Sequence, residues 1–265
     1  MGHRRQIAGS RILITGASQG IGRALAIEAA RRGAMVLATA RGEAMLRELE
    51  SESGNIKTLR ADVTSAEDRQ AMADAMFRLF GGLDVLVNNA GIGATGHFGD
   101  ATEDRLRHIF EVNFFGLAEL TRICLPLLKK GNRPAVVNIS SIVGKRGLPG
   151  RSEYSASKFA VQGLSEALRA EFSNHEIDVL VVNPGLTQTN FPKNMLERKS
   201  LLQVDHMRGM TAQQVAKATL AAMATGKDDV TLTTQGKLFV FASRFFPRLV
   251  DRIAARRVRK LYAAE

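Results

Sequence analysis

A phenol and an ammonium four residues apart, Tyr154 and Lys158 in the run Y-S-A-S-K, form the pair in this sequence best suited to moving a proton. Residues at i and i+4 share one face of a helix, so Lys158 can sit against Tyr154 and favour its phenolate. A second run, T-G-A-S-Q-G-I-G from Thr15 to Gly22, places glycines at 16, 20 and 22. Without a Cβ these positions admit tight backbone geometry and close approach of a ligand. A helix that opens there aims its amide dipoles at a pyrophosphate. Together the two segments suit the exchange of a proton and a hydride beside a bound dinucleotide.

Apolar spacing shows which elements must hold these segments. Apolar runs predict strands at 12–15, 35–39, 57–60, 84–87, 135–139, 178–182 and 230–233. Helical spacing predicts helices at 20–32, 43–50, 65–80, 102–130, 152–173 and 211–225. Ser65 and Asp68 are spaced like a capping box, and Pro126 is expected to break the 102–130 helix near its end. Strands alternating with helices predict an α/β fold: one doubly wound, Rossmann-type parallel sheet covered by helices on both faces, in three layers. It absorbs residues 9–234 as a single domain and leaves 235–265 as a C-terminal extension. No repeat, linker or low-complexity tract divides the chain.

Composition narrows the function classes. With 265 residues and 45% hydrophobic content the chain can bury an ordinary core. No run approaches the ~18 uninterrupted apolar residues of a membrane span, and residues 1–10 lack the apolar region of a signal peptide. One cysteine, Cys124, allows no intrachain disulfide, which points to a reducing, cytoplasmic setting; beside Leu125 on a helix it is expected in the core. No metal is expected, because His97, His108, His175 and His206 have no ligand spacing. Asn138-Ile-Ser140 fits a glycosylation pattern, but it falls on a strand expected to be buried.

The net charge of +11 is concentrated at the C-terminal end. From Gly236 onward eight basic residues (Lys237, Arg244, Arg248, Arg252, Arg256, Arg257, Arg259, Lys260) face two acids, Asp251 and Glu265, leaving +6. Among them Leu238, Phe241, Phe245, Leu249 and Ile253 recur at helical spacing, with Pro247 expected to kink the run. A basic amphipathic helix can lie on an anionic membrane surface, or it can pack on its own domain or a second subunit. No nucleic-acid recognition motif accompanies the charge, so nucleic acid is not an expected partner.

Further motifs follow in order: N-N-A-G at Asn88, V-N-F-F-G at Val112, N-I-S-S at Asn138 and N-P-G at Asn183, with Ser141 thirteen residues before Tyr154. On these, the glycine run and Y-S-A-S-K, residues 9–234 resemble the short-chain dehydrogenase/reductase family. The resemblance implies that Tyr154 is the general acid in carbonyl reduction and the base in alcohol oxidation. An unperturbed tyrosine titrates near about 10, so Lys158 and the nicotinamide's charge are expected to depress it. Lys158 would also hold the nicotinamide ribose, Ser141 would orient the substrate oxygen, and Asn113 would position a relay water beside the lysine. The cofactor would rest on Gly16, Ser18, Gln19, Gly20, Ile21 and Gly22. Asp62 and Val63 would meet the adenine, Asn89, Ala90 and Gly91 the adenosine ribose side, and Pro184, Gly185, Thr187 and Thr189 the nicotinamide amide.

An NAD enzyme usually carries an acid about 20 residues after the glycines. Ala40 stands there, followed by Arg41, whose guanidinium can grip a 2′-phosphate. NADP(H) is therefore the expected cofactor, with NAD(H) as the alternative because Gln19 replaces the basic residue that many NADP-preferring members carry. Residues 190–210 resemble the family's variable substrate lid; Phe191, Met195, Leu196, Leu201, Leu202, Met207 and Met210 suit a hydrophobic carbonyl or alcohol. A homodimer or homotetramer is implied. Two rival readings stand beside this one: a 3-oxoacyl thioester (acyl carrier protein) reductase, and a non-enzymatic NADP-binding regulator or scaffold.

Overall fold

A computed structural model of the chain describes residues 2–202 and 209–262. His206 and Met207 of the expected lid, and Glu265 of the tail, lie outside the described residues. The first half alternates β1 (Arg11–Thr15), α1 (Gly20–Arg31), β2 (Met35–Ala40), α2 (Glu43–Ser51), β3 (Ile56–Arg60), α3 (Ala66–Phe80) and β4 (Val85–Asn88). Then come α4 (Glu103–Phe110), α5 (Gly116–Leu128), β5 (Ala135–Ile139), α6 (Ser152–Glu171) and β6 (Asp178–Asn183). Two short strands, β7 (Thr187–Gln188) and β8 (Met210–Thr211), pair with each other before α7 (Ala212–Ala224) and β9 (Asp229–Thr231). The last elements are α8 (Thr234–Phe245) and α9 (Pro247–Tyr262).

Seven strands form one parallel sheet in the order β3-β2-β1-β4-β5-β6-β9. The path winds outward from β1 to β3, then returns across β1 to β4 and winds the other way. Connections after β1 and β4 thus leave on opposite sides, which opens a crevice at the carboxyl ends of these strands. Alternation along each strand serves both faces. Ile12, Ile14, Val85 and Val87 point into the layer of α1 and α7, with Leu25, Ala29 and Leu220. Leu13, Leu86 and Val136 point into the layer of α3 and α5, with Met72, Met76, Leu120 and Cys124. Cys124 is fully buried, and burial pushes its thiol up to about 12.

Three expectations need correction. The long helix at 102–130 is not broken at Pro126, which lies inside α5; it runs from α4 into α5 through a π-helical turn, Glu111–Phe115, whose backbone stays helical. Proline removes one backbone hydrogen bond, and the packing of Leu120, Cys124 and Leu128 into the core holds α5 together regardless. The capping box at α3 is half formed. Ser65 accepts from the Asp68 amide at 3.1 Å, but the Asp68 carboxylate accepts from the Asp62 amide at 2.7 Å instead of reaching back to Ser65. Finally, Pro247 does not kink one helix; it opens a second, since Phe246 leaves helical geometry.

Candidate active site

The glycine run forms the turn between β1 and α1. Gly16 and Gly20 adopt φ of +65° and +59°, the left-handed region that favours glycine. A Cβ on Gly22 would fall 2.5 Å from both the Asn89 Nδ2 and the Gly16 carbonyl oxygen. The absence of side chains there lets the turn close on the segment after β4, where the Asn89 amide donates to the Thr15 carbonyl at 2.9 Å and the Gly16 carbonyl at 3.1 Å. The Thr15 hydroxyl oxygen accepts from the backbone of Asn89 and Ala90, each at 3.1 Å. Gln19, the N-cap of α1, makes no side-chain cap hydrogen bond, so the first amides of α1 keep their donors for a ligand.

At the other end of the crevice, α6 carries Tyr154 and Lys158. The Lys158 ammonium is buried and donates to the Ile139 carbonyl oxygen at 2.9 Å. Burial lowers it to about 8. The same burial pushes the Tyr154 phenol up to about 12, against the charge of Arg151 and a hydrogen bond with Ser141, which both pull it down. The expectation that Lys158 itself depresses the phenol is thus not met here. Its Nζ lies 5.8 Å from the ring centroid and is committed to Ile139, while Arg151 and Ser141 act on the phenol.

Asn113 sits in the π turn, fully buried behind Gly91. Its Oδ1 accepts from the Ile92 amide at 2.8 Å; its Nδ2 donates to the Ile92 carbonyl and to the Ser157 hydroxyl, both at 2.9 Å. Ser157 donates in turn to the Tyr154 carbonyl at 2.8 Å. A Cβ on Gly91 would come within 3.2 Å of Asn113 Oδ1 and 3.6 Å of Lys158 Nζ, so the two polar groups converge on that glycine. Mid-helix π turns often mark functional positions, because the wide turn re-aims a side chain.

One cavity of about 580 Å³ joins these parts. It is lined by Gly16, Ser18, Gln19, Gly20, Ile21, Arg41, Asp62, Val63, Asn89, Ala90, Gly91, Ser141, Tyr154, Lys158, Pro184, Gly185, Thr187 and Thr189. Of the residues singled out from sequence, Gly22 and Asn113 stand behind the wall and not on it. Arg41 is largely exposed at the rim, 3.9 Å from Asp62. The expected apolar lid is only partly present. Phe191 lines the cavity with its ring centroid 5.6 Å from that of Tyr154, whereas Leu196 and Leu201 are exposed. Among the described residues, no cluster of His, Cys, Asp or Glu could hold a metal ion.

Sequence reasoning passed over several residues. Thr15, Ser157 and the buried Asn88–Asn138 pair (2.9 Å) brace the motifs from behind. Arg151 lines the cavity next to Tyr154. An arginine three residues before the tyrosine was the available signal; its neighbours in space were not readable.

The cavity fits a dinucleotide: a glycine cradle that a Cβ would fill, helix amides without caps, and a tyrosine phenol at the far end. Comparison with known proteins agrees. The sequence model described as short chain dehydrogenase matches residues 10–200. Dehydrogenase/reductase SDR family member 7B of Bos taurus is 34% identical over 272 residues, covering 97% of this chain and 84% of its own. A 3-ketodihydrosphingosine reductase of Bacteroides thetaiotaomicron is 38% identical over 183 residues, covering 69% and 66%. A short chain dehydrogenase/reductase from Burkholderia phymatum, solved in complex with NAD, superposes with a TM-score of 0.84 at 25% identity, covering 92% of this chain and 96% of that one. Another from Burkholderia cenocepacia, solved with NADP, gives 0.80 at 26% identity, covering 94% and 99%. On sequence, fold and site together, the chain belongs to the short chain dehydrogenase family of oxidoreductases.

Proposed function

We propose that the protein is an NADP(H)-dependent oxidoreductase that interconverts a carbonyl and a secondary alcohol on a hydrophobic substrate. The observation that carries the reading is the convergence of Tyr154, Ser141 and Lys158 on one end of a cavity whose other end is the glycine cradle. When bound, a nicotinamide dinucleotide supplies or accepts the hydride. The Ser141 hydroxyl orients the substrate oxygen against the phenol, and Tyr154 Oη gives that oxygen its proton in reduction or takes it back in oxidation. A phenol raised to about 12 is a reluctant base, so the oxidative direction needs further positive charge beside it. The positive charge of the oxidised nicotinamide would supply it, beside that of Arg151. Asn113, held by Ile92 and Ser157, would position a water beside Lys158 that relays a proton back to Tyr154 after reduction. Asp62 and Val63 would hold the adenine, Asn89, Ala90 and Gly91 the adenosine ribose side, and Pro184, Gly185, Thr187 and Thr189 the nicotinamide amide. Residues 9–234 carry this machinery; 235–265 are an extension.

Preference for NADP(H) rests on the rim at β2. Ala40 leaves no carboxylate to bind a ribose 2′-hydroxyl, and the exposed Arg41 guanidinium can swing from Asp62, 3.9 Å away, to a 2′-phosphate. Calorimetry with NADPH and NADH on wild type and Arg41→Ala tests this. NADPH should bind more tightly, and the difference should vanish in the variant. Equal affinity of wild type for both would remove the preference; no binding of either would remove the enzyme reading.

A second reading concerns location. Leu238, Phe241, Phe245, Phe246, Leu249 and Ile253 are all exposed on α8 and α9, among arginines. No helix among the described residues is long and apolar enough to cross a membrane. We infer that this stripe seats the enzyme on an anionic membrane surface. Flotation with phosphatidylserine vesicles should recover the wild type and lose Phe241→Asp/Phe245→Asp. If both float alike, or if the substitutions instead dissociate a homodimer or homotetramer, the stripe is not a membrane face.

A further inference from the structure

Arg151 opens α6 three residues before Tyr154 and lines the cavity beside it. Its backbone is engaged, since its amide donates to the Leu148 carbonyl at 3.2 Å and its carbonyl accepts from Ser155 at 2.8 Å. Its guanidinium has no carboxylate and no other acceptor among the described residues, although it is half-buried. The surrounding charges are already committed. Lys145 pairs with Asp229 at 2.5 Å, Arg146 pairs with Asp251, and Glu153 is buried against Arg105 together with Glu197. Among the described residues no carboxylate pairs with Arg151. The other two cations on the cavity wall differ: Lys158 is bound to Ile139 and Arg41 stands by Asp62.

A half-buried guanidinium without acceptors is costly unless something completes it. Burial lowers its proton affinity, and the charge of the Tyr154 phenolate offsets this. The cofactor's pyrophosphate is provided for at the glycine turn, at the opposite end of the crevice from α6. The wall on this side also carries apolar side chains: Leu148, whose carbonyl accepts from the Arg151 amide at 3.2 Å, and Phe191 against the Tyr154 ring. An apolar wall with one unsatisfied cation beside the proton donor has the chemistry of an amphiphile's binding site.

We propose that Arg151 anchors an anionic group of the substrate, so that the cavity selects an amphiphilic ketone or alcohol whose reacting carbon lies a few bonds from a phosphate or carboxylate. The proposal rests on the oxidoreductase reading and names its substrate class. In the reduction, the carbonyl carbon gains a hydride from the reduced nicotinamide dinucleotide and the oxygen gains the Tyr154 proton. The products are the alcohol and the oxidised dinucleotide. Arg151 makes and breaks no bond; it fixes the anion by charge-assisted hydrogen bonds, and its planar fork suits either headgroup.

Two measurements test this. In the first, decyl phosphate is titrated by calorimetry into the full-length protein as wild type, Arg151→Leu and Arg151→Lys, with NADPH titrated in parallel. Decyl phosphate should bind wild type about 10- to 100-fold more tightly than Arg151→Leu. Arg151→Lys should fall between, and the NADPH affinity should be shared by all three. Equal binding of decyl phosphate to wild type and Arg151→Leu would overturn the proposal. So would a matching loss of NADPH binding, which would place Arg151 in the cofactor site. Inorganic phosphate competing as well as decyl phosphate would reduce the site to one for free anions and overturn the amphiphile. In the second, kcat/KM is compared for 2-dodecanone, 4-oxododecanoate and a 2-oxododecyl phosphate. At least one anion should be preferred, through KM, and Arg151→Leu should collapse that preference; whichever anion loses more identifies the headgroup. A neutral ketone preferred by wild type overturns the proposal. If none of the three is reduced with either cofactor, the oxidoreductase reading fails, and the decyl phosphate titration still decides whether Arg151 holds an anion.

Discussion

The crevice and the two closing helices depart from the usual rule of burial in opposite directions. Around the crevice polar side chains are buried: Asn113, Asn138 and Ser157 are fully enclosed, and Lys158 nearly so. Each has partners, through Ile92, Asn88, Ser165 and Ile139. Along α8 and α9 apolar side chains face water, Leu238 to 67% and Phe245 to 60% of their surface. Buried polar groups are costly unless hydrogen-bonded, so a fully bonded set beside a cavity marks a prearranged site. The apolar stripe has no cover among the described residues, and exposed apolar patches of this kind are the usual mark of interaction surfaces. The first region holds these buried side chains by bonds within the chain, and the second shows no such cover among the described residues.

Four changes break or sharpen this contrast. The largest effect belongs to Tyr154→Phe. Removing the hydroxyl takes away the proton donor, and steady-state turnover should fall about 10²- to 10⁴-fold, with NADPH affinity in calorimetry retained. A variant that still turns over at the wild-type rate would falsify the assignment of Tyr154.

Next comes Lys158→Met, read through pH. Folding lowers the ammonium from its ordinary 10.5 to about 8. Between these values the unfolded chain holds a proton that the folded chain has released, so wild-type stability should rise as pH climbs from 8 to 10.5. Below pH 8 both states are charged and the burial penalty, on the order of 3 kcal/mol, stands in full. Urea unfolding at pH 7 should therefore find the inactive variant more stable than wild type, with the gap closing by pH 10. A gap that does not change with pH would mean that Lys158 is not the group responsible.

Gly22→Ala should cost about 1–3 kcal/mol, because the new Cβ would fall 2.5 Å from Asn89 Nδ2 and the Gly16 carbonyl. Its urea midpoint should drop and dinucleotide binding weaken together; an unchanged midpoint would show that the turn has room to relax. The smallest effect is expected in the tail. Phe241→Ser/Phe245→Ser should change unfolding free energy by less than about 0.5 kcal/mol while weakening vesicle binding. A large destabilisation coupled to a lower oligomeric state in sedimentation would move the stripe from membrane to subunit interface.

Much of the fold was legible because its signals are local. The apolar runs at 12–15 and 135–139 and the helix opening at Gly20 depend on neighbours within a few residues, and they appear at the expected places. A break was expected at Pro126 because proline is a visible local signal, while the π turn between α4 and α5 gave none. The π turn depends instead on Asn113 reaching Ile92, twenty-one residues earlier in the chain. Half of the capping box was lost for a similar reason, since Asp68 found the Asp62 amide a better partner.

The sequence by itself determined the alternating elements, the glycine turn and the Tyr154–Lys158 spacing, since periodicity and backbone freedom are properties of short segments. Only the tertiary structure decided that Lys158 turns to Ile139 and that Asn113 and Ser157 form one support behind Tyr154. Among the described residues, it alone left Arg151 without an acceptor at the cavity wall and the stripe of α8 and α9 without cover. Burial and partnership depend on where distant segments come to lie, and a charge counts as unpaired only when every carboxylate around it has been placed.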